Sequence, residues 1–82
     1  MNREEVQRRV VSVVAHILGI EEVDTGANLE KDLGADSLNR LETITALEAI
    51  YPDVDFDEVF LYNLSTVDAL TDHICDSESK AA

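Results

Sequence analysis

The stretch 34-GADSLNRLETITALE-48 decides the fold, because it begins with helix-capping residues and continues with two apolar stripes. With about 100° of rotation per residue, Leu47 is at the middle of one face, and Leu38 and Leu41 lie almost opposite. A helix in a small bundle buries one stripe, so we predict one core-facing side and one exposed apolar side. The core-facing set is Ile44, Leu47, Ile50 and Tyr51, and the exposed set is Leu38, Leu41, Thr45 and Ala49, bordered by Glu42 and Glu48.

Hydrophobic spacing predicts further helices on both sides of this stretch. Apolar residues recur every three or four positions near the amino terminus, and Pro52 marks the end of the central helix, since the residue before a proline disfavours helix. The pattern indicates an all-α fold, a small bundle of three main helices plus one short helix, with a long loop between the first two. The predicted helices span about 3–18, Asp36 or Ser37 to about Tyr51, 57–62 and 66–75. Asn2 and Glu5 are predicted to cap the first helix and Gly19 to end it. Ser65 is predicted to cap the last helix.

The length and charge of the chain limit its function. Its 82 residues suffice for one domain, which we place at 1–75, and the small polar residues of 76–82 predict a flexible tail. The formal net charge of −12 repels nucleic acid and anionic lipid but attracts basic protein surfaces. The exposed leucines with their acidic border therefore predict a docking surface for a basic partner. The alternatives are that both faces are buried, or that the acids serve only solubility.

Ser37 stands at the start of the central helix, where two chemical roles are open. A nucleophilic serine needs a base within hydrogen-bond reach, and His16 and His73 are both remote in sequence. The G-x-S-x-G pattern of a nucleophile elbow is also missing from the sequence. If Asp36 caps the helix, the Ser37 hydroxyl is displayed on the first turn, where a phosphate would lie near free backbone N–H groups. The local chemistry favours a phosphodiester anchor over a catalytic nucleophile.

The sequence also argues against a metal site and a membrane segment. The run 53-DVDFDE-58 begins like a calcium loop, but Glu58 replaces the turn glycine and Leu64 replaces the bidentate glutamate. Cys75 is the only cysteine, which excludes an internal disulfide and fits a reducing compartment. The longest apolar run is too short to span a bilayer. We therefore expect a soluble cytoplasmic protein or a mature organellar chain.

The run 32-DLGADSLNRLETITALE-48 resembles the acyl carrier protein family of free-standing type II carriers. The resemblance extends through an aromatic helix end at Tyr51, a short third helix and the final 65-STVDALTDHI-74. It implies that residues 1–75 form an acyl carrier domain. It also implies that Ser37 carries 4′-phosphopantetheine, transferred from coenzyme A by a phosphopantetheinyl transferase, with Asp36 and Leu38 beside the attachment point.

The resemblance further implies a non-catalytic carrier that holds acyl chains as thioesters and presents them to enzymes of lipid or polyketide synthesis. Its partners would be acyl-transfer, ketosynthase or acyl-activating enzymes with basic docking patches, and we expect a monomer. The resemblance implies that Asp36, Glu42 and Glu48 meet basic patches on partner enzymes and that Leu38 meets their apolar centre. With the helical periodicity, the predicted docking residues are Leu38, Leu41, Glu42, Thr45 and Glu48. The implied shelter for the acyl chain is formed by Ile44, Leu47, Ile50 and Tyr51.

Several positions differ from the family pattern and leave alternatives open. Asn39 stands where fatty-acid carriers usually have an acid, and Ala49 removes another acid. Arg40 and Thr43 lie on the core-facing side near Ser37, where small or apolar residues are commoner. A general fatty-acid carrier and a specialised carrier therefore both stay open. The further alternatives are an aminoacyl or peptidyl carrier, and an adaptor that keeps the fold without a loaded arm.

Overall fold

The computed structural model describes residues 2–57 and 65–81, which form helices and connecting loops without a strand. The helices are α1 (Arg3–Leu18), α2 (Ser37–Ile50) and α3 (Val67–Ala81). Helix α1 packs against both α2 and α3. The all-α prediction is confirmed. The predicted short helix at 57–62 falls almost entirely outside the described residues, so α3 corresponds to the predicted helix at 66–75.

Helix α1 has the predicted bounds, and local chemistry explains both ends. The Asn2 side chain accepts a hydrogen bond from the Glu4 backbone N–H at 2.8 Å, as an N-cap should. The carboxylate of Glu5 does not complete a capping box with Asn2 and instead accepts a 2.9 Å hydrogen bond from Arg9. Gly19 ends the helix with a positive φ of 67°, a conformation that glycine adopts without steric cost.

The long loop between α1 and α2 is tied to the rest of the fold by backbone hydrogen bonds. The Leu29 N–H donates to the Ser65 carbonyl at 2.7 Å, and the Asp68 N–H donates to the Thr25 carbonyl at 3.0 Å. Leu29 is itself buried, so the loop contributes to the core as well as connecting two helices. These contacts hold the start of α3 against the middle of the loop.

Helix α3 differs from its prediction at both ends. Its N-cap is Thr66, whose hydroxyl accepts a 3.0 Å hydrogen bond from the Ala69 N–H, whereas the predicted cap, Ser65, is buried in the loop contact. The helix also continues to Ala81 instead of ending near Cys75. Residues 76–81 contain no glycine or proline that would interrupt it. The flexibility of 76–82 stays a prediction.

The core lies between the three helices and the loop. It is built mainly from aliphatic side chains, because their three- and four-residue spacing brings them to one side of each helix. Two buried threonines, Thr43 and Thr71, each satisfy the hydroxyl by donating to the carbonyl four residues earlier at 2.8 Å. The most deeply buried members are Val6, Val10, Val14, Leu47, Val67, Leu70 and Ile74.

Polar contacts at the rim of the core join α1 to α3. Arg3 donates to Asp72 at 2.8 Å, and the Gln7 amide donates to Asp68 at 2.9 Å. The hydrogen bond that Arg3 donates to the Asp72 carboxylate raises the pKa of Arg3. Arg3 and Asp72 are about half exposed, so this ion pair orients the helices more than it stabilises them.

Candidate functional site

The start of α2 is held by a reciprocal capping box. The Asp36 carboxylate accepts a hydrogen bond from the Asn39 N–H at 2.8 Å, and the Asn39 side chain accepts one from the Asp36 N–H at 3.1 Å. Two donors at the helix start are thereby satisfied together. The predicted role of Asp36 as the N-cap is confirmed. The box also gives Asn39 a structural function at a position where fatty-acid carriers usually have an acid.

Ser37 is the first residue of α2 and is exposed to solvent. Asp36 supplies the cap, so the Ser37 hydroxyl is not consumed by the helix start. The N–H groups of Ser37 and Leu38 belong to the first turn, where no intrahelical acceptor exists. An oxyanion attached to Ser37 would therefore lie beside backbone donors at the positive end of the helix dipole. The geometry suits a covalently attached phosphodiester.

The two histidines are placed elsewhere in the fold. His16 is exposed in the last turn of α1, as the sequence predicts for a helix-end histidine. The His73 ring nitrogen Nε2 lies 2.6 Å from the Asp55 carbonyl oxygen, and the ring packs at a tilt against Phe56. His73 thus connects α3 to the segment at Asp55 and Phe56, which follows α2.

The outward face of α2 is apolar at its middle and acidic at its edge. Leu38 is 62% exposed and Leu41 is 50% exposed. Glu42, Thr45 and Glu48 are exposed as well, so all five predicted docking residues are accessible. An open groove of about 430 Å³ runs beside this face, between α1 and α2. Its walls are formed by Ile17, Leu41, Glu42, Thr45 and Ala46.

The inward face of α2 matches the prediction at three of four positions. Ile44, Leu47 and Tyr51 are buried, with Leu47 completely inaccessible. The prediction for Ile50 is wrong, because its side chain is 38% exposed. At about 100° per residue Ile50 lies on the same side of Leu47 as Thr43 and slightly beyond it, and it is the last residue of α2, so it lies at the edge of the buried arc. Ile50 therefore does not belong to the interior that could shelter an acyl chain.

Tyr51 connects the end of α2 to α1. Burial raises the pKa of the Tyr51 phenol, and this effect is partly opposed by a hydrogen bond and by the positive charge of Arg9. Arg9 in turn donates a hydrogen bond to the carboxylate of Glu5 on the same helix. An aromatic residue suits the end of α2 because the Tyr51 ring is buried in the core, with the charge of Arg9 near enough to affect its phenol.

Arg40 is the least expected residue near Ser37. Its side chain is only 19% exposed, and its Nη1 atom lies 3.5 Å from a Glu30 carboxylate oxygen in the long loop. The sequence places Arg40 on the core-facing side, but it contains no signal that identifies Glu30 as the partner. The role of Asn39 was equally missed, although the D-x-x-N spacing at 36–39 is a capping-box pattern that could have revealed it.

Within residues 2–57 and 65–81, the structure contains neither a membrane-spanning helix nor a metal-binding group. No helix there is both long and apolar enough to cross a bilayer. No set of three or more histidine, cysteine, aspartate or glutamate side chains is arranged to hold a metal ion. Glu58 and Leu64, which argued against a calcium loop in the sequence, lie outside the described residues.

Two comparisons with known proteins agree with this geometry. The family model described as "Phosphopantetheine attachment site" matches residues 8–74, which include all of α2 and most of α1 and α3. The chain is also 36% identical over 69 residues to an acyl carrier protein of Prochlorococcus marinus (strain MIT 9515). That alignment covers 82% of this chain and 85% of the relative. Both similarities extend well beyond the short motif around Ser37.

Proposed function

The chain belongs to the acyl carrier protein family, and we propose that Ser37 is the residue that carries its 4′-phosphopantetheine. The observation that supports this assignment is the capping box at α2: Asp36 and Asn39 complete the helix start and leave the Ser37 hydroxyl exposed. When attached, the prosthetic group supplies the thiol on which an acyl carrier protein holds its acyl chain as a thioester. The protein itself contributes the attachment point and the surfaces around it.

The residues beside Ser37 fit such a group. The exposed hydroxyl can be reached by a modifying enzyme, and the first-turn N–H groups favour the negative charge that the phosphodiester adds. Leu38 lies next to the attachment point with most of its side chain in water. Asp36 holds this turn in place through its bond to Asn39. The modification would be made by a phosphopantetheinyl transferase using coenzyme A.

The outward face of α2 is proposed as the docking surface. Its partners would be the transferase and acyl-transfer, ketosynthase or acyl-activating enzymes with basic patches. Glu42 and Glu48 supply the charge complementarity that speeds encounter, and Leu38, Leu41 and Thr45 supply the apolar centre. We propose that the chain performs no catalysis itself and acts in the cytoplasm, where its single thiol, Cys75, stays reduced.

The interior beside α2 is proposed as the shelter for the acyl chain. Ile44, Leu47 and Tyr51 form an apolar wall that faces α1. Thr43 adds a hydroxyl to this wall, but it already donates to the Asn39 carbonyl. The wall therefore presents hydrocarbon without an unsatisfied donor, which suits an alkyl chain better than a charged one.

Intact mass before and after incubation with coenzyme A and a broad-specificity phosphopantetheinyl transferase tests the assignment of Ser37. We expect the wild-type protein to gain the mass of one phosphopantetheine and Ser37→Ala to gain none. Ser12→Ala is the matched control, because Ser12 is an exposed serine on α1 and its variant should be modified like the wild type. A wild-type protein that begins unmodified and gains no mass would instead indicate an adaptor with the carrier fold.

A further inference from the structure

The groove between α1 and α2 is lined by an apolar side chain that lies outside the proposed docking residues. The groove has a volume of about 430 Å³, and Ile17 of α1 lines it together with Leu41, Thr45 and Ala46 of α2. Ile17 is half-buried. Among the residues that the structure describes, its neighbour Leu18 packs against the core cluster and Ile17 does not. The Ile17 side chain therefore contributes its apolar surface to the groove.

The groove lies one helical turn from the attachment point. Leu41 in its wall comes four residues after Ser37, and residues four apart on a helix lie on the same face, one above the other. Leu41 is 50% exposed and Ser37 is exposed as well, so both are open to the same solvent side of α2. An enzyme that acts on an arm at Ser37 therefore places its own surface beside the groove.

The charges around the groove are negative. Among the described residues that line it, Glu42 is the charged one, and its side chain is exposed. The sequence contains no lysine or arginine between Arg9 and Lys31, nor between Arg40 and Lys80. The second half of α1 and the part of α2 after Arg40 therefore contain neither residue. An apolar groove with an acidic border favours an apolar group that is accompanied by a cation.

Charge distinguishes the three occupants that this groove can take. A second copy of the chain brings another formal charge of −12 to the same surface, and like charges oppose association. An acyl chain has no charge to match Glu42, and the buried wall of Ile44 and Leu47 offers it a site removed from water. A basic segment of a partner protein matches both the apolar surface and the carboxylate.

We propose that the groove receives one apolar side chain from a basic segment of a partner enzyme, while a lysine or arginine beside that side chain pairs with Glu42. The apolar side chain fixes the position of the partner along α2, and the surrounding acids steer the partner to the groove. The proposal rests on the docking surface proposed above and adds Ile17 and Ala46 to it. The partner is thereby expected to present a leucine, methionine or phenylalanine next to a cation.

Nuclear magnetic resonance with a model partner tests the proposal. A synthetic helical peptide of leucine and lysine, with the leucines along one face, is titrated into the full chain. We expect the methyl signals of Ile17 and Ala46 to shift, and the methyl signals of Ile50 to stay in place. A peptide with glutamate in place of lysine should produce no shift at the same concentration. Peptide-induced shifts that leave out both Ile17 and Ala46 would overturn the proposal.

Two uncharged substitutions separate the groove from general electrostatic attraction. Ile17→Ala removes part of the wall and Ala46→Leu fills the groove. Each should weaken peptide binding by about fivefold or more, the loss typical of a side chain at the centre of an interface. Ile50→Ala is the matched control, because Ile50 is a 38% exposed isoleucine outside the groove wall, and it should bind like the wild type.

Amide spectra of each variant establish that it is folded. If Ile17→Ala unfolds, Ala46→Leu makes the comparison, because this substitution adds a side chain and removes none. Equal affinities of the wild type, Ala46→Leu and Ile50→Ala for the peptide would contradict the proposal.

Spectra recorded without the peptide identify the other occupants. Shifts of Ile17 and Ala46 that appear when an acyl chain is loaded onto the arm would assign the groove to the cargo. Shifts that grow with protein concentration alone would assign it to a second copy of the chain, and either result overturns the proposal. Intact mass keeps this test apart from the assignment of Ser37. A fully modified protein whose groove takes no peptide overturns the groove alone, and a protein that cannot be modified overturns the carrier assignment.

Discussion

The two faces of α2 have similar apolar character but opposite environments. On one side Leu47 is completely buried, and on the other Leu38 is 62% exposed. The inward face packs against α1 and the long loop, whereas the outward face borders an open groove beside Ile17. The contrast separates a face whose hydrophobic side chains stabilise the fold from a face that we propose for docking. Each face should respond differently to the same kind of substitution.

The largest difference is expected between Leu47 and Leu41. Leu47→Ala should lower the free energy of unfolding by about 2–5 kcal/mol, because the substitution leaves a cavity in a fully packed site. Leu41→Ala is the matched control on the outward face and should change the free energy of unfolding by less than about 0.5 kcal/mol. Urea denaturation of the two variants makes the comparison. Equal losses would mean that both faces support the core.

Charge reversal on the outward face should affect transfer without affecting folding. Glu42→Lys or Glu48→Lys should slow acyl or phosphopantetheine transfer by roughly tenfold at low salt, because steering toward a basic partner is lost. The transfer rate with a purified partner enzyme is the measurement, and the difference should shrink at high salt, where charges are screened.

Glu4→Lys serves as the control for this pair of variants. Glu4 is exposed in the first turn of α1, so its reversal produces the same change in net charge away from α2. Transfer by this variant should stay close to the wild-type rate. A similar slowing in all three variants would attribute the effect to overall charge and argue against a docking surface on α2.

The capping box formed by Asp36 and Asn39 stabilises the first turn of α2, where both faces of the helix begin. Asn39→Ala should cost about 0.5 kcal/mol of stability, near the lower end of the range for a helix cap, because one of the two reciprocal bonds remains. Asn39→Glu should retain stability, since glutamate can make the same return bond. The measurement is thermal unfolding of the two variants. Unchanged stability in Asn39→Ala would contradict a capping role for Asn39.

The smallest effect is expected at alkaline pH, from the end of the inward face. The pKa of Tyr51 is raised above 10.0 by burial, so the unfolded chain loses its phenol proton first as the pH rises. The contribution of the buried Tyr51 phenol to the free energy of unfolding is therefore complete below about pH 10 and declines above it. Tyr51→Phe should reduce this decline. The free energy of unfolding between about pH 9 and pH 11 is the measurement, and an equally steep decline in the variant would contradict this origin.

Local sequence signals predicted much of the fold and the attachment point. The bounds of α1 follow from Asn2 and Gly19, whose cap geometries involve only neighbouring residues. The same holds for Asp36, whose capping role leaves Ser37 exposed. Predictions were less accurate where distant contacts intervene. Thr66 and not Ser65 is the cap of α3 because the helix begins at Val67, one residue later than predicted, next to the backbone contact between Ser65 and Leu29 of the loop.

The amino-acid sequence by itself determined the helical class, the cap of α2, the two apolar stripes and the family to which the chain belongs. These depend on spacing and on bonds between residues a few positions apart. Only the tertiary structure decided that Ile50 lies outside the core and that Glu30 meets Arg40. Both results depend on how α2 is rotated against α1 and the loop. Helical periodicity gives the directions of the side chains around the axis of α2, but it does not specify which neighbouring element lies in each direction.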